Sequence, residues 1–183
     1  PKCWDCRHEP LCPAEIIPNE DTLKAIYASV RLAIYASENK DFAITRPPGH
    51  HASKDFANGF CFVNNIDIAT QRLVDSGKKV CIIDIDGHHG DGTEKVFYDE
   101  DNVLFCSVYQ EGSFPYVKSS TTRIGRVIGR KFNLSLPIPE GAGDDILLES
   151  FEFFKKYIAK FKPEVIGISA GFDGYHKDRL LRL

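Results

Sequence analysis

Four of the six histidines stand in two adjacent pairs, His50-His51 and His88-His89. Each pair lies in a polar cluster, RPPGHH over 46–51 and DGHHGDGT over 86–93, and a third cluster, GFDGYHKD, covers 171–178. In an extended segment Asp86 and His88, two residues apart, project from the same side and form a compact O,N chelate. Asp173 can add a second oxygen. The resulting Asp/His/Asp set leaves positions open for water or substrate, as a catalytic zinc requires. Asp84 and Asp91 remain as carboxylates able to hydrogen-bond imidazoles and fix their tautomer. His50 and His51 stand off the metal as candidates for acid-base work near neutral pH. His176 reads as a loop residue near the metal mouth. A single His-His or Asp-x-His would be a weak pointer; two His pairs, one inside DIDGHHGDG, are specific.

The elements that must hold these residues follow from apolar periodicity. Residues 20–38 place Leu23, Ile26, Tyr27, Val30 and Ile34 at three- and four-residue spacing, the pattern of an amphipathic helix. Similar patterns occur over 62–76 and 144–161. Between them lie β-rich runs: Phe42 to Thr45, Val80 to Ile85, Val103 to Val108, Phe132 to Ile138 and Val165 to Ala170. Several are apolar on both faces, as in a parallel sheet covered on both sides. Alternating strands and helices imply an α/β fold. The polar clusters follow FAIT, VCIIDI and VIGISA, and open parallel sheets bind ligands outside the carboxyl ends of their strands. Three such loops can converge on one point.

Composition narrows the remaining classes. With 183 residues the chain is one domain or part of one, and 43% hydrophobic content with 27% charged is enough for a packed core. A net charge of -3 supplies no basic field to recruit nucleic acid. No run approaches a membrane span, and the first residues form no apolar signal core, so a soluble, cytoplasmic protein is expected. The absence of methionine, even at the first position, leads us to expect a processed or excised piece, or a sequence from which methionines are missing. Cys61, Cys81 and Cys106 sit in apolar runs and read as buried hydrophobes. Cys3, Cys6, His8 and Cys12 spell Cys-x2-Cys-x-His-x3-Cys, either a tight zinc site or a surface segment of thiols. Lys118, Arg123, Arg126, Arg130 and Lys131 form a basic stretch, read as a solvated face or loop.

RPPGHHA (46–52), GFCFVNN (59–65), DIDGHHGDGT (84–93) and SAGFDGYHKD (169–178) together resemble the histone deacetylase superfamily of zinc amidohydrolases. That family includes acetylpolyamine amidohydrolases and acetoin-utilisation proteins. The resemblance spans residues 20–183 and implies a three-layer α/β/α fold with a mainly parallel sheet, arginase- and deacetylase-like and incomplete at both ends. Residues 1–19 are then a Cys-rich N-terminal segment and 20–183 a partial catalytic domain. The resemblance implies zinc on Asp86, His88 and Asp173, with His50 paired to Asp84 and His51 to Asp91. Gly59, Phe60 and Phe114 match walls of the tunnel that takes an acyl-lysine side chain. A structural potassium ion is implied at carbonyls around Asp84, Asp86 and His88 with Ser107 and Val108; Phe97, Val103 and Phe132 match a second potassium site. The implied reaction is zinc-assisted hydrolysis of an acylated lysine, polyamine or small acyl amine, with His51 as general base and His50 tuning the field.

Three departures accompany the resemblance. The family's catalytic tyrosine lies downstream of the Asp173 cluster, and Tyr175 is too close to Asp173 to match it. The sequence after Asp178 reads Arg179-Leu180-Leu181-Arg182 where Pro-Leu-Gly-Gly is usual, and Tyr109 stands where histidine is common. A truncated domain is the expectation, and a catalytically weak module that binds metal and acyl-lysine is the rival. Arginase-like enzymes bridge two manganese ions with Asp-x-His-x-Asp and a later Asp-x-Asp. Here Gly90 and Tyr175 occupy those positions, so a second metal lacks ligands.

Overall fold

A computed structural model describes residues 18–116 and 132–183. Four strands form one parallel sheet in the order β3-β2-β1-β4, with β1 at Val80–Asp84, β2 at Val103–Gln110, β3 at Asn133–Ile138 and β4 at Val165–Ser169. The register sets Asp84 beside Ser107 on one neighbour and Ser169 on the other. These three polar residues therefore share the carboxyl edge, where the loops begin.

The strands alternate between two cores. Cys81, Leu104 and Cys106 face α4 (Asp144–Phe161), whose Phe154 and Phe161 fill that side. Val80, Ile82, Val103 and Phe105 face the opposite way and pack with Leu73 of α2 (Asn65–Asp75). The result is the expected three-layer α/β/α arrangement, with α1 (Glu20–Asn39) packed outside on α2.

Local signals fix the helix ends. The Asn19 side chain accepts the Thr22 N–H to cap α1, and Glu20 and Asp21 complement the dipole. Asp144 and Asp145 do the same for α4, which stops at Lys162 before Pro163. No helix among the described residues is long and apolar enough to cross a membrane.

Two expectations need correction. Phe42 to Thr45 is not a strand: Phe42 and Ile44 are 68% and 87% exposed and pair with no neighbour among the described residues. A period-two pattern makes a strand only where a partner accepts its ladder. A short helix not anticipated, α3 (Asp91–Val96), follows the His88-His89 pair. β4 is also less covered than its apolar sequence suggests, with Ile166 and Ile168 more than half exposed on one face of this edge strand. Cys61, Cys81 and Cys106 are buried and free. The Cys3/Cys6/His8/Cys12 set and the basic stretch over 118–131 lie outside the described residues.

Candidate active site

Asp86 and His88 sit in the loop after β1, and Asp173 in the loop after β4. One ligand atom from each lies within 4.8 Å of the others. His88 Nδ1 is 3.1 Å from Asp86 Oδ1 and 2.6 Å from Asp173 Oδ2. Backbone bonds hold the carboxylates: the Gly87 N–H donates to Asp173 Oδ1 at 2.8 Å and the His88 N–H to Asp86 Oδ1 at 2.8 Å. Hydrogen bonds that protonated His88 donates to Asp173 and Asp86 push its pKa up to about 10. Burial pushes Asp86 up, but its bonds to His88 and the nearby His50 charge outweigh this and leave it at about 2. Two carboxylates aimed at one imidazole nitrogen thus demand positive charge at their meeting point. A divalent cation on deprotonated Nδ1 satisfies that demand, so this donor set fits zinc.

The His50-His51 pair reaches the same place without a preceding strand. Asn64, the N-cap of α2, donates its amide to the Ala52 carbonyl and to Thr93 Oγ1, each at 3.0 Å. The Thr93 N–H donates to the His50 carbonyl, and the Asn65 amide to that of Pro47. Helices α2 and α3 therefore pin the loop over 46–53. Gly92 permits this contact, since a Cβ there would run into the backbone of His51 and Ala52. Sequence reasoning did not assign Asn64 or Thr93; an Asn just before a periodic apolar run was the available signal.

Both histidines are buried, and each has its own carboxylate. His50 Nδ1 lies 3.0 Å from Asp84 Oδ2, and His51 Nδ1 lies 2.7 Å from Asp91 Oδ1. Their rings are 3.9 Å apart, and His50 Nε2 also lies 3.7 Å from Asp86 Oδ2. Burial lowers the basicity of both. For His50 the attraction of Asp84 overcomes it and raises the pKa to about 9. For His51 burial, reinforced by the His50 charge, prevails over Asp91 and keeps the pKa below 6.5. Adjacent imidazoles are thus driven to opposite protonation states, the pattern of an acid-base site.

Phe114 stands edge-on to His51 at 4.9 Å and 6.5 Å from His88, so it walls the cluster. Gly59 fits between, for a Cβ there would overlap the His51 ring and come within 2.8 Å of Phe114. Phe60 is different: it is 78% exposed, with φ 64°. Ser107 is fully buried beside Asp84 and its hydroxyl has no hydrogen-bond partner among the described residues, an orphaned oxygen suited to a bound cation. Val108 follows it in the core. Phe97 and Val103 belong to the core on the α2 side, whereas Phe132 packs on the α4 side. Tyr109 is buried against His89, ring centroids 4.5 Å apart. His89 bonds Glu94 and Ser135 instead of joining Asp86, His88 and Asp173. A cavity of about 530 Å³ at the opposite end of the sheet, lined by Lys40, Arg72 and Val165 among others, has no part in this site.

Residues 9–183 match the family model described as the histone deacetylase domain. The chain belongs to the histone deacetylase family. The match begins inside the Cys-rich segment. Acetylpolyamine amidohydrolase 1 of Pseudomonas aeruginosa is 39% identical over 166 residues, 86% of this chain and 48% of the relative. An acetylpolyamine amidohydrolase of Mycoplana ramosa is 36% identical over 79% of this chain and 43% of its own length. In structure, the acetylpolyamine aminohydrolase from Burkholderia pseudomallei superposes with a TM-score of 0.85 at 32% identity, covering 90% of this chain and 50% of that one. An HDAC homolog from Aquifex aeolicus gives 0.77 at 34% identity, with 87% and 44% covered. This deacetylase-family chain spans about half the length of the relatives it matches.

Proposed function

We propose that the protein is a zinc-dependent amide hydrolase that removes an acetyl or other acyl group from an acylated lysine, polyamine or small acyl amine. One observation carries the reading: three ligand atoms within 4.8 Å of one another sit beside a buried imidazole, His51, whose Nδ1 is bound to Asp91. Asp86, His88 and Asp173 would hold the zinc, which supplies a Lewis acid for the acyl carbonyl and a water acidified toward a pKa of about 7.

The remaining work falls to the chain's own groups. His51, kept neutral, accepts the water proton at Nε2 and returns it to the departing amine. Asp91 holds the Nδ1 proton, fixing the tautomer that leaves Nε2 basic. His50, charged against Asp84, sets a positive field beside Asp86 that favours the developing oxyanion. Phe114 and Gly59 offer an apolar wall for an aliphatic stem, with Phe60 at its outer end. Ser107, with carbonyls of Asp84, Asp86, His88 and Val108, would hold a structural potassium ion, and Phe97, Val103 and Phe132 a second. The free, buried thiols suit a reducing compartment such as the cytoplasm.

Elemental analysis and hydrolysis of a fluorogenic acetyl-lysine substrate by the full-length protein test the reading. One zinc per chain and turnover are expected, with His51→Ala retaining zinc while kcat falls about 10²- to 10⁴-fold. Absence of zinc overturns the metal assignment. Zinc and acetyl-lysine binding without turnover would make the protein a binding module.

A further inference from the structure

We infer that Leu181 is a positioning residue for the metal ligands: its side chain, seated on the bare Cα of Gly87, holds the Asp173 carboxylate against the loop that carries Asp86 and His88. The inference deepens the zinc reading and rests on it.

Gly87 stands between two proposed ligands, and both of its backbone polar groups tie loops together. Its N–H donates to Asp173 Oδ1 at 2.8 Å, and its carbonyl accepts the Gln110 N–H at 2.9 Å. Backbone strain does not explain the glycine, because it is not among the positive-φ glycines, which are Gly59, Gly77, Gly112 and Gly141. Space explains it. A Cβ on Gly87 would overlap Leu181 Cδ1, while Asp173 Oδ1 and the Gly174 nitrogen would lie at 3.4 Å, an ordinary contact. Leu181 thus fills the place of the missing side chain, beside the bond that holds Asp173.

Residues 178–183 are tied down so that this leucine turns inward. Leu180 is 82% exposed and Leu181 only 5%. Asp178 Oδ1 accepts the Leu180 and Leu181 N–H groups at 2.7 and 3.0 Å. The Arg182 N–H donates to Gln110 Oε1 at 2.7 Å, and the Gly141 N–H donates to the Arg182 carbonyl at 2.6 Å. Gln110 therefore holds Gly87 through its backbone and Arg182 through its side chain, closing a ring of contacts around Leu181. Leu181 joins neither apolar core of the sheet, unlike Leu183, which packs on the α4 side. It also stands where the usual Pro-Leu-Gly-Gly has a glycine, so the device belongs to this chain.

The effect is electrostatic as well as steric. A hydrogen bond from an N–H to a carboxylate strengthens where water is excluded. With Leu181 in place, Asp173 Oδ1 stays on Gly87 and Oδ2 is held 2.6 Å from His88 Nδ1, where a shared cation needs it. Without the leucine, water competes for Oδ1 and the carboxylate is free to rotate away.

The test compares full-length wild type, Leu181→Ala, Gly87→Ala and the double variant. Zinc affinity is read by chelator competition and ligand geometry by the visible absorption of the cobalt-substituted protein, with melting temperature checking the fold. Leu181→Ala should weaken zinc about tenfold or more, the scale of lost ligand supports. Gly87→Ala drives its methyl into Leu181 and should weaken zinc similarly and alter the cobalt bands. In the double variant the methyl enters the space that Leu181 vacates, so affinity should recover to within about threefold of wild type and the wild-type bands should reappear. If Gly87→Ala does not fold, Leu181→Met, which keeps the volume and should keep wild-type affinity, serves as the comparison for Leu181→Ala. Wild-type zinc affinity in folded Leu181→Ala overturns the inference, and so do losses that simply add in the double variant. A wild-type protein that binds no zinc defeats the metal reading and the inference with it. Zinc binding that ignores every substitution removes only the role of Leu181.

Discussion

Gly171→Ala is a single methyl group aimed at the proposed zinc ligand. Gly171 lies just past β4, and a Cβ there would overlap Asp86 Oδ2 and lie 2.7 Å from Asp86 Cβ. Carbon atoms rest at about 3.5–4 Å, so Asp86 must retreat by about 0.8 Å or more. It has little freedom to do so, since Asp86 Oδ1 already accepts the His88 N–H at 2.8 Å and lies 3.1 Å from His88 Nδ1. A metal–oxygen bond of about 2.0–2.2 Å does not survive a displacement of that size. Zinc affinity, measured by competition with a chromogenic chelator, should fall at least about 10- to 100-fold, the scale on which disturbing a ligand's supports weakens a site. Gly77→Ala, past the end of α2 and away from the site, strains a left-handed backbone position (φ 86°) where a Cβ meets nothing within 4 Å, and so controls for general loss of stability. Wild-type zinc affinity in a folded Gly171→Ala protein would refute the placement of Asp86 as a ligand.

Three further substitutions test other parts of the site. Asp67 is buried in the first turn of α2, and burial, only partly opposed by the Thr93 side chain, raises its pKa well above 3.8. A raised carboxyl pKa favours the unfolded chain once pH exceeds the unfolded value, at up to about 1.4 kcal/mol per pH unit until the folded-state group ionises. Denaturant melts should therefore show Asp67→Asn gaining on wild type as pH rises from about 4, and a pH-independent difference would contradict it. Asp91→Asn should lower kcat on the order of 100-fold while zinc content stays at wild type, because it weakens the hold on His51 Nδ1; steady-state kinetics with metal analysis decide this. Ser107→Ala should abolish any rise in melting temperature that potassium gives over sodium. A wild-type response in the variant would place the ion elsewhere.

Helix α4 was legible to the residue because three signals agree at its ends: apolar periodicity, Asp144 and Asp145 in the first turn, and Pro163 after the last. Strands β1 and β2 were legible because parallel strands are apolar on both faces. What failed was information carried by partners. FAIT has the alternation of a strand but no neighbour among the described residues, and α3 is a six-residue helix secured by contacts from Asn64 and His50 that lie far off in sequence. The polar clusters could be expected to meet because loops after parallel strands share one edge. Yet the His50-His51 loop arrives there by a different route, pinned to α2 and α3. Nothing local in the sequence distinguishes the half-buried Phe114, packed on His51, from the exposed rings of Phe60 and Tyr116.

The opposite pKa shifts of His50 and His51 show why adjacency in sequence does not imply equivalence. Both rings are buried, and both bond a carboxylate through Nδ1 at 2.7 to 3.0 Å. Desolvation alone would make both neutral. The difference lies in what each ring meets next. Behind His50 stand Asp84, fully buried, and Asp86 at 3.7 Å from its Nε2, so its proton is held from both sides. His51 has Asp91 on one nitrogen and the charged His50 ring 3.9 Å away, which opposes a second positive charge. A cation shared by Asp86, His88 and Asp173 would weaken the Asp86 contribution, but the direct Asp84 bond would remain. The order of the pair is therefore set by the deeper carboxylate: the histidine bonded to Asp84 keeps the proton, and its neighbour is left able to take one.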